Sequence, residues 1–220
     1  MKKLLPFSLT AILILAFALS GCGGGNGGGG TNYTPGELST YTVGGVSFNM
    51  RYAPSDSLTS DDCDISGDEN LPVAVTVANA YWMAETEVTY ELWLAVYTWA
   101  TDAAREDNQY TFANSGAGVA DQHPVTDVSW RDAMVWCNAL SEMAGLTPVY
   151  KNGGVVVRDS STANATVCDG VSDPIAGDKG FRLPTSNEWQ LAARYEDGTN
   201  WTPGSHVSGD TTSYCSPSDA

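Results

Sequence analysis

The sequence predicts an irregular, loop-rich α+β domain, and three observations carry that prediction. Period-two and extended runs folded about Gly-Gly turns occur at Gly44-Gly45 and at Gly153-Gly154, which reads as hairpins. Two or three capped helix signals open at Thr89, Ser129 and Thr185. The connections between these elements are long and polar, and helices and strands do not alternate as βαβ units would require.

The chain opens with Lys2 and Lys3, an apolar run from Leu4 to Leu19, and then Leu19-Ser20-Gly21-Cys22. A positive head, a short apolar centre and small residues before a cysteine are the features of a bacterial lipoprotein leader, and they favour it over a plain secretory signal or an uncleaved anchor. Residues 1–21 are read as that leader and Cys22 as the lipid acceptor. The tract from Gly23 to Gly30 buries no apolar surface, so residues 22–40 are read as a flexible tether. Folded sequence is expected from about Tyr41 onward.

YTVGGVSFNMRYAP, from Tyr41 to Pro54, alternates apolar and polar residues around Gly44-Gly45 and predicts the first hairpin. Ser55 to Asn70 carries Asp56, Asp61, Asp62, Asp64, Asp68 and Glu69 among small polar residues and reads as a solvated acidic loop. It fails as a helix-loop-helix calcium loop, because the twelfth position from Asp62 is Val73 where a bidentate acid is needed. Val73, Val75 and Val77 at period two, running into YWMAETEVT, predict a strand that ends at a helix start. Thr89 is placed to cap that helix, with Val88 and Trp93 as a hydrophobic staple and an end near Ala100. Tyr90, Trp93 and Tyr97 follow helical spacing, so they read as core packing in preference to a stacking platform for a sugar.

The most regular helix signal follows HPVTDVSW. Ser129 caps it, Asp132 reaches back to the cap, Ala133, Cys137, Leu140 and Ala144 form one apolar stripe, and Gly145 ends it. Pro148 to Tyr150 lead into KNGGVVVRDS, a second hairpin. In GFRLPTSNEWQLAARY, Thr185 and Glu188 make a full capping box, with Trp189, Ala192 and Ala193 as the apolar face.

With 26 acidic and 10 basic residues the net charge is −16; without Lys2 and Lys3 it becomes −18. Nucleic acid is excluded as an average partner by that sign, and no cluster of Lys or Arg offsets it. Besides Cys22, the cysteines are Cys63, Cys137, Cys168 and Cys215. An exported compartment permits disulfides among these four, in any of three complete pairings. Cys137 faces inward, as packing or as half of a disulfide. No CxxC or Cys/His spacing suggests zinc, and His123 and His206 read as surface or loop residues.

HPVTDVSW, AMVWCNALSEMAGLTPVY, GFRLPTSNEWQLAARY and MAETEVTYELW together resemble the formylglycine-generating enzyme, or sulfatase-modifying factor, family. The resemblance runs from about Tyr41 to the end, and it implies a C-type-lectin-like fold with Ser129, Trp130, Thr185, Glu188 and Trp189 as structural motif residues. It also implies calcium as a structural ion in some members. The family's later Trp-rich, Arg-Gly-Gly-Ser and closing Gly-Phe-Arg segments have no counterpart after Tyr195, so residues 41–220 are read as the N-terminal part of such a domain. Family enzymes hold copper on a cysteine pair in that later region, and none of the four cysteines matches it. Copper is therefore expected only with a cysteine pair in a continuing segment, and no catalytic residue carries over. An iron-dependent branch needs a His-rich helical domain that this chain lacks. The resulting expectation is a lipid-anchored, non-catalytic envelope protein, at the outer membrane or cell surface, binding an unknown protein or carbohydrate. The alternative is a formylglycine-generating oxidase acting on a sulfatase cysteine.

Overall fold

The computed structural model describes residues 16–18, 33–58, 75–161, 180–196 and 199–200. Its main sheet has five antiparallel strands in the order β2-β3-β6-β1-β9, built from β1 (Ala16–Ala18), β2 (Leu38–Val43), β3 (Val46–Ala53), β6 (Tyr81–Ala84) and β9 (Phe181–Arg182). The β2–β3 hairpin is the one predicted, and both turn residues, Gly44 and Gly45, have positive φ (60° and 83°). Two central residues with positive φ match the right-handed strand twist, and glycine reaches that region without a Cβ clash.

β4 (Asp56–Leu58) pairs with β5 (Val75–Val77), so the acidic loop read from Ser55 begins as a strand. Ser57 and Thr76 hydroxyls meet across it at 3.1 Å. The rest of that loop lies outside the described residues. The single strand predicted from Val73 is two: β5 serves this small sheet, whereas β6 enters the main one. The second predicted hairpin is present as β7 (Lys151–Asn152) and β8 (Val155–Val156), turned by Gly153 and Gly154 with φ of 56° and 85°. A last pair, β10 (Tyr195–Glu196) and β11 (Thr199–Asn200), closes the described chain.

Among the described residues, three α-helices pack against the sheets: α1 (Tyr90–Ala100), α2 (Trp130–Met143) and α3 (Ser186–Arg194). All three expected caps form. Thr89 Oγ1 accepts from the Leu92 N–H, the Ser129 and Asp132 box is reciprocal, and the Thr185 N–H donates to Glu188 at 2.8 Å while Glu188 N–H donates to Thr185 Oγ1 at 3.2 Å. The single stripe read on α2 is too narrow, because every residue from Asp132 to Ser141 is buried. α2 is the central helix, packed against α1 and β9 and tied through Asn138 to Tyr150 and Val157, which flank the β7–β8 hairpin. Trp93 and Trp136 stack where α1 crosses α2, with centroids 5.3 Å apart and planes 5° from parallel.

The two sides of β6 sort the core. Trp82 joins the large cluster with Met50, Trp93, Trp136, Leu140 and Phe181, whereas Tyr81 and Met83 join a smaller one with Ala53, Val77 and Leu191. That alternation is the strand's period of two. α3 reaches the second cluster through Leu191, which is fully buried, and Ala192 packs beside it. The apolar face read on α3 is thus corrected at Trp189, which is 48 % exposed. Its position points away from the cluster that Leu191 enters.

Gly180 precedes β9 where a Cβ would lie 2.1 Å from the Thr147 carbonyl oxygen and 2.9 Å from Ser141 Oγ. The first of these is backbone and cannot rotate away. Gly180→Ala is expected to lower stability by about 1–3 kcal/mol through overpacking, read as a lower urea midpoint at unchanged slope. An unchanged midpoint would mean that the close approach is not real.

Candidate functional site

The best-organised displayed surface is the connection from Ala113 to Val128, which wraps the N-terminus of α1. The first N–H groups of a helix have no partner inside it. Here the Tyr90 N–H donates to the His123 carbonyl at 2.8 Å, and the Glu91 N–H to the Asp121 carbonyl at 2.9 Å. Gln122 Nε2 donates to the Glu91 carboxylate at 2.6 Å. His123 thus acts through its backbone, with its side chain exposed. The connection is tied internally as well: Ala117 and Thr126 exchange both backbone bonds at 2.8 Å, and Val125 N–H donates to Val88 O at 2.9 Å. Trp93 Nε1 donates to Ser115 O at 2.8 Å.

Asp132 fixes the far end. Its carboxylate accepts from the Ala113 N–H (3.0 Å), Asn114 Nδ2 (2.8 Å), the Ser129 N–H (3.0 Å), Ser129 Oγ (2.7 Å) and Ser160 Oγ (2.5 Å). Burial works to raise its pKa, but the bonds from Ser129, Ser160 and Asn114 outweigh it and hold the carboxyl below its ordinary value. Sequence reading found the cap in Asp132 and missed this wider role. The donors come from residues 18, 19 and 28 positions away in the chain, a relation no local spacing shows.

A second junction sits at the end of α2. Glu142 pairs with Arg105 at 2.9 Å and with Arg158, while the Arg105 guanidinium lies 3.6 Å from the centroid of the Trp99 ring. This ties a 3₁₀ turn, Ala103–Asn108, and the segment after β8 at Arg158 to the helix. A third is buried: Arg182 grips Glu188 with two bonds of 2.7 and 2.5 Å, both side chains being almost fully enclosed. Tyr81 donates to the Glu188 carbonyl at 2.5 Å. Asn138 completes the framework, donating to the Tyr150 and Val157 carbonyls and accepting from the Tyr150 N–H. Arg182 and Asn138 lie inside the quoted motifs, yet the sequence assigned neither of them a function.

These groups hold the scaffold. Burial pushes the Tyr81 phenol, the Tyr110 phenol and the Cys137 thiol upward. Cys137 is a free, buried thiol; Cys22, Cys63, Cys168, Cys215 and His206 lie outside the described residues. Ser129, Thr185 and Glu188 come together with their caps as read, whereas Trp130, like Trp189, is half-exposed, at 50 %. Trp130 stands directly after the anchored connection, whose Val119 is 87 % exposed. Apolar side chains on a firmly tied loop can contact a partner without a large ordering penalty. Among the described residues, no three His, Cys, Asp or Glu side chains gather as a metal site, and no helix is long and apolar enough to cross a membrane.

Comparison with known proteins adds the lineage. A relative from Paenibacillus barcinonensis, named "Chaperone protein LppX", is 30 % identical over 122 residues, which are 54 % of this chain and 37 % of the relative. The chain thus spans little more than a third of the curated relative it matches. No solved structure gives a significant match. The Sulfatase-modifying factor enzyme 1-like domain matches residues 36–216, most of the chain. The capped helices and mixed antiparallel sheets described above lie within that span, and the chain belongs to this sulfatase-modifying factor family.

Proposed function

We propose that this chain is a lipid-anchored protein of the bacterial cell envelope whose sulfatase-modifying-factor domain binds a polypeptide partner without catalysing a reaction. The observation that carries the non-catalytic reading is Cys137. It is completely buried and its thiol is pushed upward, so it supplies neither the thiolate nucleophile nor the soft ligand that copper-dependent oxidation needs. The leader features at Lys2, Lys3 and Cys22 support the anchor and outer-membrane or surface display. The firmly tied connection with Val119 and Trp130 supports binding, and the name of the Paenibacillus relative favours a polypeptide over a carbohydrate. Calcium would act only as a structural ion in this reading.

Two assays test it on chain produced in a bacterial host. Labelled fatty acid is expected to enter the wild type and not Cys22→Ser. Purified protein supplied with copper, oxygen and a cysteine-bearing sulfatase peptide is expected to leave the peptide's mass unchanged. Conversion of that thiol to an aldehyde would establish the oxidase instead.

A further inference from the structure

β2 ends the main sheet at the edge opposite β9, and its outer backbone is unclaimed. A two-residue turn makes Val43 and Val46 a hydrogen-bonded pair, and such pairs alternate along an antiparallel ladder. Leu38, Thr40 and Thr42 therefore hold the non-bonded positions, opposite Arg51, Asn49 and Ser47, with their N–H and C=O groups turned away from β3. Neighbouring bonds agree. The Tyr52 N–H donates to Glu37 O at 3.0 Å, which puts the odd-numbered positions on the inner side. The Glu85 N–H donates to Asn49 O at 3.1 Å, so the backbone opposite Thr40 faces β6. Among the described residues, no backbone group bonds the outward N–H groups of Leu38, Thr40 or Thr42.

This edge lacks the devices that ordinarily keep a sheet edge single. Free edges are usually blunted by a lysine, a proline, a bulge or a covering segment. β2 pairs with β3 without interruption from Leu38 to Val43, and the chain from Leu38 to Met50 has no charged residue and no proline. The strand is also firmly held. Thr40 Oγ1 donates to Asn49 Oδ1 at 2.9 Å, the Thr42 and Ser47 hydroxyls meet at 2.8 Å, and Tyr41 stacks on Phe48 at 5.7 Å. The side chains of Leu38, Thr40 and Thr42 are exposed. An edge ordered in this way takes on a further strand with little ordering cost.

We propose that β2 is a self-association edge, pairing antiparallel with β2 of a second copy of this chain about a twofold axis at Thr40. Register and charge both select a second copy. With Thr40 on the axis, Leu38 lies opposite Thr42 of the second copy, Thr40 opposite Thr40 and Thr42 opposite Leu38. Outward residues then meet only outward residues, and each pair exchanges both of its backbone bonds. Ser39 falls opposite Tyr41, so every cross-strand pair is uncharged. The chain carries a net charge of −16, and two copies repel wherever acids face one another. The nearest acid along the strand is Glu37, whose two copies stand roughly 20 Å apart at about 3.4 Å per residue, well beyond a Debye length of about 8 Å. One strand inward, Arg51 and Glu85 neutralise each other at 2.5 Å. A basic strand from another protein would find no carboxylate along β2 to meet. The pairing does not use the 113–128 connection, so it goes beyond the binding reading and is independent of it.

Sedimentation of the full chain, purified from a bacterial host in density-matched detergent over a graded concentration series, tests the pairing. A reversible dimer is expected. Thr40→Lys and Thr40→Glu each place like charges across the axis and should raise the dissociation constant at least about tenfold. Mixed in equal amounts, the two variants should form a dimer again, because opposite charges then meet. Ser47→Lys, an exposed position one strand inward, should leave the dimer intact. A wild type that stays monomeric, a dimer indifferent to both Thr40 substitutions, or one that the mixture does not restore overturns the proposal. A monomer whose Thr40 and Thr42 amides resist hydrogen exchange overturns it in favour of another segment of the same chain on this edge.

Discussion

Arg182→Met is expected to destabilise the domain by about 3–5 kcal/mol. The pair it breaks is enclosed on every side, with exposures of 0 % for Arg182 and 2 % for Glu188. Removing the guanidinium strands a carboxylate in a medium that cannot solvate it, and the penalty of that unpaired charge exceeds the net worth of the ion pair. The double variant Arg182→Met, Glu188→Leu should recover most of the loss, because both desolvation terms vanish together. It should stop short of full recovery by about 1 kcal/mol, since Glu188 also accepts from the Thr185 N–H in the capping box. Urea denaturation of the two variants checks this. A single variant within about 1 kcal/mol of wild type would show that the pair is hydrated and that the buried geometry is wrong.

Asp132→Ala ranks second, with an expected loss of about 3 kcal/mol and a changed pH profile. The substitution leaves Asn114 Nδ2, the Ser129 N–H and the Ser160 hydroxyl without the carboxylate they donate to and removes half of the α2 capping box. Because the folded carboxyl titrates below its unfolded value, its contribution is complete above about pH 4 and disappears as pH falls through the folded value. Melting curves from pH 7 down to about pH 2 should therefore show wild type losing stability toward Asp132→Asn on the acid side. Parallel curves would mean that Asp132 is not the titrating anchor. Hydrogen exchange gives the local readout: protection at residues 113–117 should fall in the variant before the sheet is affected.

Capping and turn chemistry was legible. Thr89, Ser129 and Thr185 announced their helices because a cap and its partner three residues on are neighbours in the chain. Gly44-Gly45 and Gly153-Gly154 announced their hairpins because only glycine accepts two consecutive positive φ values cheaply. The family was legible for the same reason, since its wording lies in contiguous motifs. Trp189 was misread because an amphipathic pattern fixes an apolar stripe only to within a residue or so, and Leu191 proved to be the anchor. α2 was read as one-sided because periodicity records how polar each face is. It does not record whether buried Asp132, Asn138 and Ser141 find partners across the fold.

The sequence by itself determined the helix starts, the hairpin turns, the acidic character and the sulfatase-modifying-factor lineage, all of which depend on composition or on residues within a few positions of one another. Tertiary structure alone decided that Arg182 closes on Glu188, that Asp132 gathers residues 113, 114, 129 and 160, and that Ala16–Ala18 lies between Tyr81–Ala84 and Phe181–Arg182. Long-range partners are chosen by which surfaces remain to be buried and which polar groups remain to be satisfied once the local elements exist.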